Sequence, residues 1–264
     1  MAVGLLGAGK MGRAFFDAFK KHHAAPVYIR ASTAASTAIK AESWPAEDGW
    51  IDQSWHTTDA WIIGVKPAQY REAILPLMPI YHARKENPPT IVSLMAGIRL
   101  QSLAEDFSYS PILRVMANLS IAHTHGVYAV SKTNTCSVME NQLSQMGQVL
   151  YFDDLQMDVA TALLGSSPAV MLKMIQSFTD AGVAQGLSSE ASGALVGSAL
   201  TATGSLIGSG DLPKKIIKNI ASPNGTTQAM LNEVNDMSLM CNRAVEAACE
   251  RAKVLAQAGP PKLS

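Results

Sequence analysis

The stretch Gly7-Ala8-Gly9-Lys10-Met11-Gly12 decides the fold of this chain, because it stands between an apolar run at residues 2–6 and a helical pattern at residues 11–21. In a Gly-x-Gly-x-x-Gly turn between a strand and a helix, the glycines allow a tight turn and let a pyrophosphate approach the helix N-terminus. The stretch predicts dinucleotide binding, with Gly7, Gly9, Lys10, Met11 and Gly12 contacting the cofactor. A turn with only a structural role is the alternative.

Short apolar runs alternate with helical stretches as far as about residue 155. The runs predict strands at 2–6, 27–30, 60–65, 90–95, 112–116, 126–130 and 149–152. The periodicity predicts helices at 11–21, 34–42, 68–81, 100–106 and 137–146. Strands that alternate with helices and are often apolar throughout are typical of a parallel sheet covered on both faces. We therefore predict an α/β, Rossmann-type doubly wound domain over residues 1–155.

The strand pattern stops after about residue 155. Helical spacing then covers 169–186, 189–208, 212–219, 226–235 and 238–256. The segment 189–208 has Glu190 as its single ionisable residue, so no face of that helix is polar. A domain of this size can hardly bury such a helix by itself. We therefore predict an all-helical dimerisation domain over residues 156–264 that pairs with a second copy of the chain.

Composition limits the partners and the compartment. Lys plus Arg and Asp plus Glu both number 21, so no net charge favours nucleic acid or an anionic membrane. Charged residues make up 16% and hydrophobic residues 48%, which suggests apolar surface hidden in a homo-oligomer. Neither a membrane span nor a secretory leader is expected. The three cysteines form no CxxC pair, and no metal site is expected, so we predict a reduced, cytoplasmic chain.

The end of the second predicted strand bears on the choice of cofactor. NAD-binding domains usually carry an acidic residue there for the ribose hydroxyls, but residues 18–41 contain no Asp or Glu. Arg30, Ser32 and Thr33 instead offer a guanidinium and two hydroxyls, which suit a 2′-phosphate. We predict NADPH, with NADH as the alternative cofactor and a merely solvated strand end as the alternative role of Arg30.

Two further strand ends belong to the predicted cofactor site. Val65, Lys66 and Pro67 follow the third strand, and Ala96 and Gly97 follow the fourth. Ligands of open α/β sheets bind outside the carboxyl ends of the strands, and small residues there let a nicotinamide ring come close. Each segment by itself is compatible with ordinary loop chemistry.

The segment Ser222-Pro223-Asn224-Gly225-Thr226-Thr227 predicts a turn that opens a helix. Asn tolerates a left-handed backbone, Gly removes side-chain obstruction, and the first N–H groups of a helix are unpaired. Such a helix start binds a carboxylate well. A simple capping turn explains the segment equally well.

Over its whole length the chain resembles the pyrroline-5-carboxylate reductase family. The matching blocks occur in family order: Gly7-Ala8-Gly9-Lys10-Met11-Gly12, Val65-Lys66-Pro67, Ser93 with Ala96-Gly97, Arg114-Val115-Met116 with Asn118, Gly165-Ser166-Ser167-Pro168-Ala169, Asp180-Ala181-Gly182-Val183 with Gly186-Leu187, and Ser222-Pro223-Asn224-Gly225-Thr226-Thr227. The resemblance implies NAD(P)H-dependent reduction of the cyclic imine 1-pyrroline-5-carboxylate to L-proline. It also implies a homodimer, or a larger oligomer built from dimers.

The resemblance also assigns roles at the substrate site. Thr227 would be the catalytic residue that hydrogen-bonds the imine nitrogen. The backbone N–H groups of Gly225, Thr226 and Thr227 would hold the carboxylate, with Ser222 also contacting substrate.

The chain departs from the family pattern in three blocks. Residues 117–120 lack two prolines, Ser167 replaces a glycine, and Asn224 replaces another glycine. These departures leave two alternatives open. One is a divergent paralogue that reduces another imine or a keto substrate, and the other is a catalytically silent homologue with a regulatory role.

Overall fold

The protein is described by a computed structural model over residues 1–23, 27–30, 55–123, 126–132, 137–208 and 210–257. The chain divides into two compact units. The first contains Met1–Ser166 together with the C-terminal residues from Ala247 onward, and the second contains Ser167–Glu246. The last helix of the chain therefore begins in the second unit and ends in the first.

The first unit is built on a seven-stranded sheet in the order β2-β1-β3-β4-β5-β6-β7. The strands are β1 Val3–Leu6, β2 Val27–Arg30, β3 Ala60–Ile63, β4 Thr90–Ser93, β5 Ile112–Met116, β6 Gly126–Ser131 and β7 Gly147–Phe152. Strands β1 to β5 are parallel, β6 runs antiparallel to β5, and β7 is parallel to β6. Because β2 and β3 lie on opposite sides of β1, the topology reverses at β1, and the predicted doubly wound sheet is confirmed.

Two predicted strands end earlier than the apolar pattern indicates. β3 ends at Ile63 rather than residue 65, and β4 ends at Ser93 rather than residue 95. One more ladder bond follows each end, from Gly64 N–H to the Leu6 carbonyl (2.8 Å) and from Leu94 N–H to the Ile63 carbonyl (2.9 Å). The chain then turns away from the sheet, so the last apolar residues of both runs belong to loops at its carboxyl edge.

The helices of the first unit are mostly those predicted. They are α1 Lys10–His22, α2 Tyr70–Ile74, α3 Met78–Ala83, α4 Leu100–Asp106, α5 Ser137–Met146 and α6 Met157–Ala160. The single helix predicted over 68–81 is interrupted by a 3₁₀ turn at Leu75–Leu77, because Pro76 and Pro79 lack the N–H that a continuous helix needs. The helix predicted over 34–42 lies outside the described residues.

Two hydrophobic clusters cover opposite faces of the sheet. Leu5 and Ile62 belong to the cluster that contains Phe15 and Phe19 of α1. Their neighbours along the strands, Leu6 and Ile63, belong to the other cluster. Successive strand side chains point to opposite faces, so this alternation places helices on both sides of the sheet.

Aromatic side chains dominate the second of these clusters. Trp61 is fully buried, and its ring lies 5.4 Å from Trp55, 6.1 Å from Tyr81 and 6.4 Å from Phe107 between centroids. The indole N–H of Trp61 donates to the Thr58 hydroxyl at 2.8 Å. Trp55 and Trp61 are thus core residues that cover one face of the sheet.

The second unit is helical throughout its described residues. It contains α7 Ser167–Ala184, α8 Ser189–Gly208, α9 Pro213–Ile220, α10 Thr226–Glu233 and the start of α11 Met237–Gln257. Among the described residues of this unit, only Ser192 is buried. Large apolar side chains are exposed instead, including Leu172 (64%), Leu195 (61%) and Leu212 (74%). A single chain does not supply a core for these helices, as the uncharged composition of α8 predicts.

Two helical segments, Met157–Ala184 and Ser189–Gly208, are long and apolar enough to cross a membrane by length and composition. This finding differs from the expectation that no segment reaches that length. The segments reach it because Ala, Gly, Ser and Thr separate their aliphatic residues without adding much charge. Helices in the cores and interfaces of soluble proteins can have the same length and composition, so these two properties are weak evidence for a membrane span.

Candidate active site

The predicted cofactor loop lies at the carboxyl edge of β1, where two of its glycines are required by close packing. Gly7 has a φ of +99°, and a Cβ there would approach Val65 Cγ1 to 2.7 Å. A Cβ on Gly12 would overlap the carbonyl oxygen of Gly7. The absence of both side chains therefore lets α1 start directly against the end of β1 and the segment after β3.

Gly9 has a different environment from the other two glycines. Nothing lies within 4 Å of the position that its Cβ would occupy, and its φ of −68° suits any residue. Gly9 is the N-cap of α1, no side chain caps this helix, and no acidic residue stands in its first turn. The open space and the unpaired N–H groups at the helix start fit the pyrophosphate of a dinucleotide.

The structure brings the predicted residues after β3 next to this loop. Val65 packs directly against Gly7, where a Cβ on the glycine would lie 2.7 Å from Val65 Cγ1. The N–H of Gly64 donates to the carbonyl of Leu6 at the end of β1. Lys66 is exposed, and Pro67 opens the 3₁₀ turn Pro67–Gln69. Lys66 therefore follows β3 at the carboxyl edge of the sheet, beside the strand where the topology reverses.

The loop after β4 has a structural constraint that the sequence did not reveal. Gly97 has a φ of +78°, and a Cβ there would lie 2.8 Å from Leu255 Cβ and 3.0 Å from the Ala252 carbonyl oxygen of α11. Ala96, the other predicted cofactor residue of this loop, is half-buried. Because Gly97 has no side chain, the C-terminal helix α11 can pack against this loop. From the sequence, the small residues here are expected only to leave space for the nicotinamide ring.

The predicted determinants of cofactor choice are only partly described. Arg30 is the last residue of β2 and pairs in register with Leu6 of β1. The Arg30 side chain, Ser32 and Thr33 lie outside the described residues. Binding of a 2′-phosphate there stays a prediction.

A buried group of charged residues lies at the same edge of the sheet. Arg114 of β5 donates to the Asp154 carboxylate at 2.5 Å, and Arg99 pairs with Asp158 of α6 at 2.5 Å. We call Arg99, Arg114, Asp154 and Asp158 the charge cluster. Of the four, only Arg114 belongs to a sequence block singled out above. The two arginines are 40 and 59 positions from the aspartates they pair with, so no local spacing could have identified the pairs.

The predicted substrate segment forms a closed turn. The N–H of Gly225 donates to the Ser222 carbonyl at 3.0 Å, and Asn224 has a φ of +58°. With Pro223 and a positive φ at the next residue, the turn has the features of type II. A Cβ on Gly225 would displace the Ser222 hydroxyl and would lie 3.1 Å from the Ser222 carbonyl oxygen, so glycine packs closely against the start of its own turn.

This geometry corrects the role expected for the Gly225 amide. Because that N–H already closes the turn, it is not free to hold a carboxylate. Gly225 is the N-cap of α10, no side chain caps the helix, and the Gly225 carbonyl accepts from Ala229 N–H at 3.2 Å. The N–H groups of Thr226 and Thr227 have no partner inside the helix. Thr226 is exposed and Thr227 half-buried, so both can face a ligand.

The loop after β5, where the sequence lacks two prolines, is closed by a side chain instead. The Asn118 side-chain oxygen accepts from Ser120 N–H at 3.0 Å and from the Ser120 hydroxyl at 2.5 Å. Asn118 thereby caps the 3₁₀ turn Leu119–Ala122. On the other side, Met116 contacts Gly165 of the π-helical turn Thr161–Ser166. The loop is therefore ordered by different contacts from those that proline would supply.

No group of three or more His, Cys, Asp or Glu side chains that could hold a metal ion occurs within the described ranges. The polar groups described at the two candidate sites include backbone amides, hydroxyls and the ammonium groups of Lys10 and Lys66. Such groups suit the binding of anions and the donation of hydrogen bonds.

The positive φ of Asn224 generates a stability prediction. Asn224→Val should lower the free energy of unfolding by about 1–2 kcal/mol, because a β-branched residue is strained in the left-handed region. Asn224→Gly should leave it unchanged within about 0.5 kcal/mol. Urea unfolding at fixed protein concentration measures both, and Asn219→Val on the exposed face of α9 serves as the control. A wild-type midpoint for Asn224→Val would contradict the assigned turn.

Comparison with known proteins relates the chain to one family. The family model described as pyrroline-5-carboxylate reductase dimerisation matches residues 154–255. The pyrroline-5-carboxylate reductase of Pseudomonas aeruginosa is 30% identical in an alignment that covers 97% of each chain. That of Pisum sativum is 28% identical and covers 96% of this chain and 95% of its own.

Solved structures agree in fold. The 1-pyrroline-5-carboxylate reductase of Streptococcus pyogenes superposes with a TM-score of 0.80 at 26% identity, over 96% of this chain and 98% of the other. The pyrroline carboxylate reductase of Plasmodium falciparum, with NADP bound, gives a TM-score of 0.83 at 24% identity over 97% and 98%. Since the Pseudomonas relative matches nearly the whole of both chains at 30% identity, the chain belongs to the pyrroline-5-carboxylate reductase family.

Proposed function

We propose that this protein reduces 1-pyrroline-5-carboxylate to L-proline with NADPH, the last step of proline biosynthesis. The observation that carries the proposal is the match to the Pseudomonas aeruginosa reductase across 97% of both chains. A match of this extent includes both the sheet and the helical unit, so both halves of a reductase are present. The uncapped helix starts of α1 and α10 support the proposal independently, because each offers amides to an anion.

The residues around Gly9 would hold the cofactor. Its pyrophosphate fits the open space at Gly9, where the amides of Lys10 and Met11 begin α1. Arg30, Ser32 and Thr33 would select the 2′-phosphate, and the residues after β3 and β4 would line the site toward the nicotinamide. When bound, NADPH supplies the hydride that the imine carbon receives.

The residues of the 222–227 turn would hold the substrate. The amides of Thr226 and Thr227 bind the carboxylate at the positive end of α10, and the Ser222 hydroxyl borders the same turn. The Thr227 hydroxyl would donate a hydrogen bond to the imine nitrogen. That nitrogen would take its proton from solvent when the carbon accepts the hydride of NADPH, so that a secondary amine and NADP⁺ result. Positioning and hydrogen bonding supply most of the rate, because the substrate is already an electrophile.

The helical unit would form a homodimer, on which larger oligomers can be built. Its described residues bury only Ser192 in a single chain, and large aliphatic side chains of α7 and α8 are exposed. The matched family model is one of dimerisation, and it covers this unit. A second copy would cover the apolar helices that length and composition alone would also allow in a membrane. We place the enzyme in the cytoplasm, with no nucleic acid or membrane partner.

One observation favours a second candidate, the reduction of a different imine. The 117–120 loop lies at the carboxyl edge of β5, and it is shaped by the Asn118 cap rather than by prolines. A changed loop at this edge alters the walls of a ligand site without altering its hydride chemistry. An imine of different ring size or substitution is therefore the alternative substrate.

The function is tested by following NADPH oxidation at 340 nm with pyrroline-5-carboxylate, and with NADH in parallel. Rapid turnover that favours NADPH is the expected result. Tight NADPH binding without turnover on this substrate would move the assignment to another imine or to a silent homologue. A preference for NADH would contradict the role given to Arg30, Ser32 and Thr33.

The role of Thr227 predicts a selective loss. Thr227→Ala should lower kcat by one to two orders of magnitude, about the effect of removing one oriented donor, with unchanged NADPH affinity. Thr227→Ser should keep most of the activity because it retains the hydroxyl. Thr226→Ala is the matched control, since only the backbone N–H of Thr226 is assigned a role. An unchanged kcat for Thr227→Ala would show that the catalytic assignment is wrong.

The contrast between the glycines predicts two different failures. Gly9→Ala should fold normally, because its Cβ meets nothing within 4 Å, but should weaken NADPH binding about tenfold or more. Gly12→Ala should instead lower the unfolding midpoint, because its Cβ overlaps the Gly7 carbonyl. Fluorescence titration with NADPH and urea unfolding of both variants separate the two effects. Normal NADPH affinity in Gly9→Ala would place the pyrophosphate elsewhere.

A further inference from the structure

The charge cluster joins three parts of the first unit. Arg99 donates to the Asp154 carbonyl at 2.9 Å and pairs with the Asp158 carboxylate at 2.5 Å. Arg114 donates to the same carbonyl at 3.1 Å and to the Asp154 carboxylate at 2.5 Å. The loop after β4, the middle of β5 and the start of α6 are thereby tied to one another.

Two of the four members of the cluster are buried, and the pairing is incomplete. Side-chain exposure is 2% for Arg114 and 5% for Asp158, against 20% for Arg99 and 26% for Asp154. Asp158 Oδ1 and Arg114 Nε have no hydrogen-bond partner, and Asp158 Oδ1 lies 4.0 Å from Arg114 Nη2. Apolar replacements of buried ion pairs are often neutral or stabilising, so such a cluster is weak evidence of a stabilising role. Both arginines of the cluster also donate to the Asp154 backbone carbonyl, which indicates that the cluster holds the backbone in a defined position.

The backbone that the cluster holds is the loop between β4 and α4. This loop contains Ala96 and Gly97, and Arg99 is the N-cap of α4 at its far end. At its near end, Leu94 N–H is bonded to the Ile63 carbonyl. Gly97 is pressed against Ala252 and Leu255 of α11 from another side. At the far end, Leu100 N–H donates to the Asp154 carboxylate at 3.4 Å, and the Arg99 side chain adds bonds to Asp154 and Asp158. Loss of the Arg99 contacts would weaken the hold on the end of the loop that has no ladder bond.

We propose that Asp158 is a positioning residue for the cofactor. Acting through Arg99, it fixes the loop at Ala96 and Gly97 in the form that receives the nicotinamide end of NADPH. Asp158 does not touch the cofactor itself in this proposal. The inference rests on the proposed function for the identity of the cofactor.

The chain contains a matched control for this proposal at the other end of α4. Asp106 is 6% exposed and pairs with Arg71, which is 13% exposed, and it also accepts from the Tyr70 hydroxyl at 2.7 Å. The Asp158–Arg99 pair has exposures of 5% and 20%. The two pairs are therefore similarly buried, but α4 separates Arg99 from Asp106 by about 10 Å along its axis.

The test compares Asp158→Asn with Asp106→Asn in the full-length protein. Both variants should lower the urea midpoint, because each leaves a partly buried arginine without its full counter-charge. Only Asp158→Asn should raise the Kd for NADPH, by about tenfold or more, because only this variant loosens the loop at Ala96 and Gly97. Asp158→Glu, which keeps the charge, should recover part of the affinity. Fluorescence titration with NADPH alone gives the Kd.

Two outcomes would overturn the proposal: an unchanged Kd for Asp158→Asn, or equal Kd increases in Asp158→Asn and Asp106→Asn. If Asp158→Asn does not fold, Arg99→Lys provides the second test, because Arg99 is partly exposed and lysine cannot contact both Asp154 and Asp158 as arginine does. Arg99→Lys should also raise the Kd for NADPH. The Kd for NADPH is measured without substrate, so it can be determined even if the protein does not turn over pyrroline-5-carboxylate. Failure of the proposed function and failure of the proposed role of Asp158 can therefore be told apart.

Discussion

The contact between Gly12 and the carbonyl oxygen of Gly7 is the constraint on which the rest of the first unit depends. Since no side chain fits at Gly12, α1 starts directly against the carboxyl end of β1. That contact brings an uncapped helix start to the point where the sheet topology reverses. The residues after β3 and β4 then reach the same edge, because parallel strands end there together. The proposed anion site at Gly9 lies beside this packing, which permits no Cβ at Gly12.

The second unit, in contrast, has almost no packed interior within a single chain. Its described helices bury one serine and leave leucines and isoleucines of α8 and α9 exposed. Apolar surface on this scale is stabilised only when another surface covers it. Folding of this unit and assembly of two chains are therefore linked, and stability should depend on protein concentration. The same unit carries the 222–227 turn, so the proposed substrate site belongs to the part of the chain that needs a partner.

The elements that sequence patterns predicted well are those whose signal is local. β2, β5, α4, α5 and α8 have the predicted bounds, because an apolar run or a helical period directly reports burial on the strand or helix itself. The interruption of the helix at Leu75–Leu77 was missed, although Pro76 and Pro79 carried the signal. The charge cluster gave no local signal at all. Arg99 and Asp158 are 59 positions apart and meet only after the sheet has formed.

The sequence by itself determined the order of strands and helices, the dinucleotide loop, the family resemblance and the helix start at Thr226. Each of these is encoded in neighbouring residues, through glycine conformations, apolar periodicity and unpaired helix amides. Only the tertiary structure decided that the Gly225 amide closes its own turn, that Gly97 yields space to α11, and that Asp158 pairs with Arg99. The last two outcomes depend on distances between groups that are remote in sequence, and spacing along the chain does not report such distances. The first depends on the backbone conformation of the turn, which the residue types by themselves do not specify.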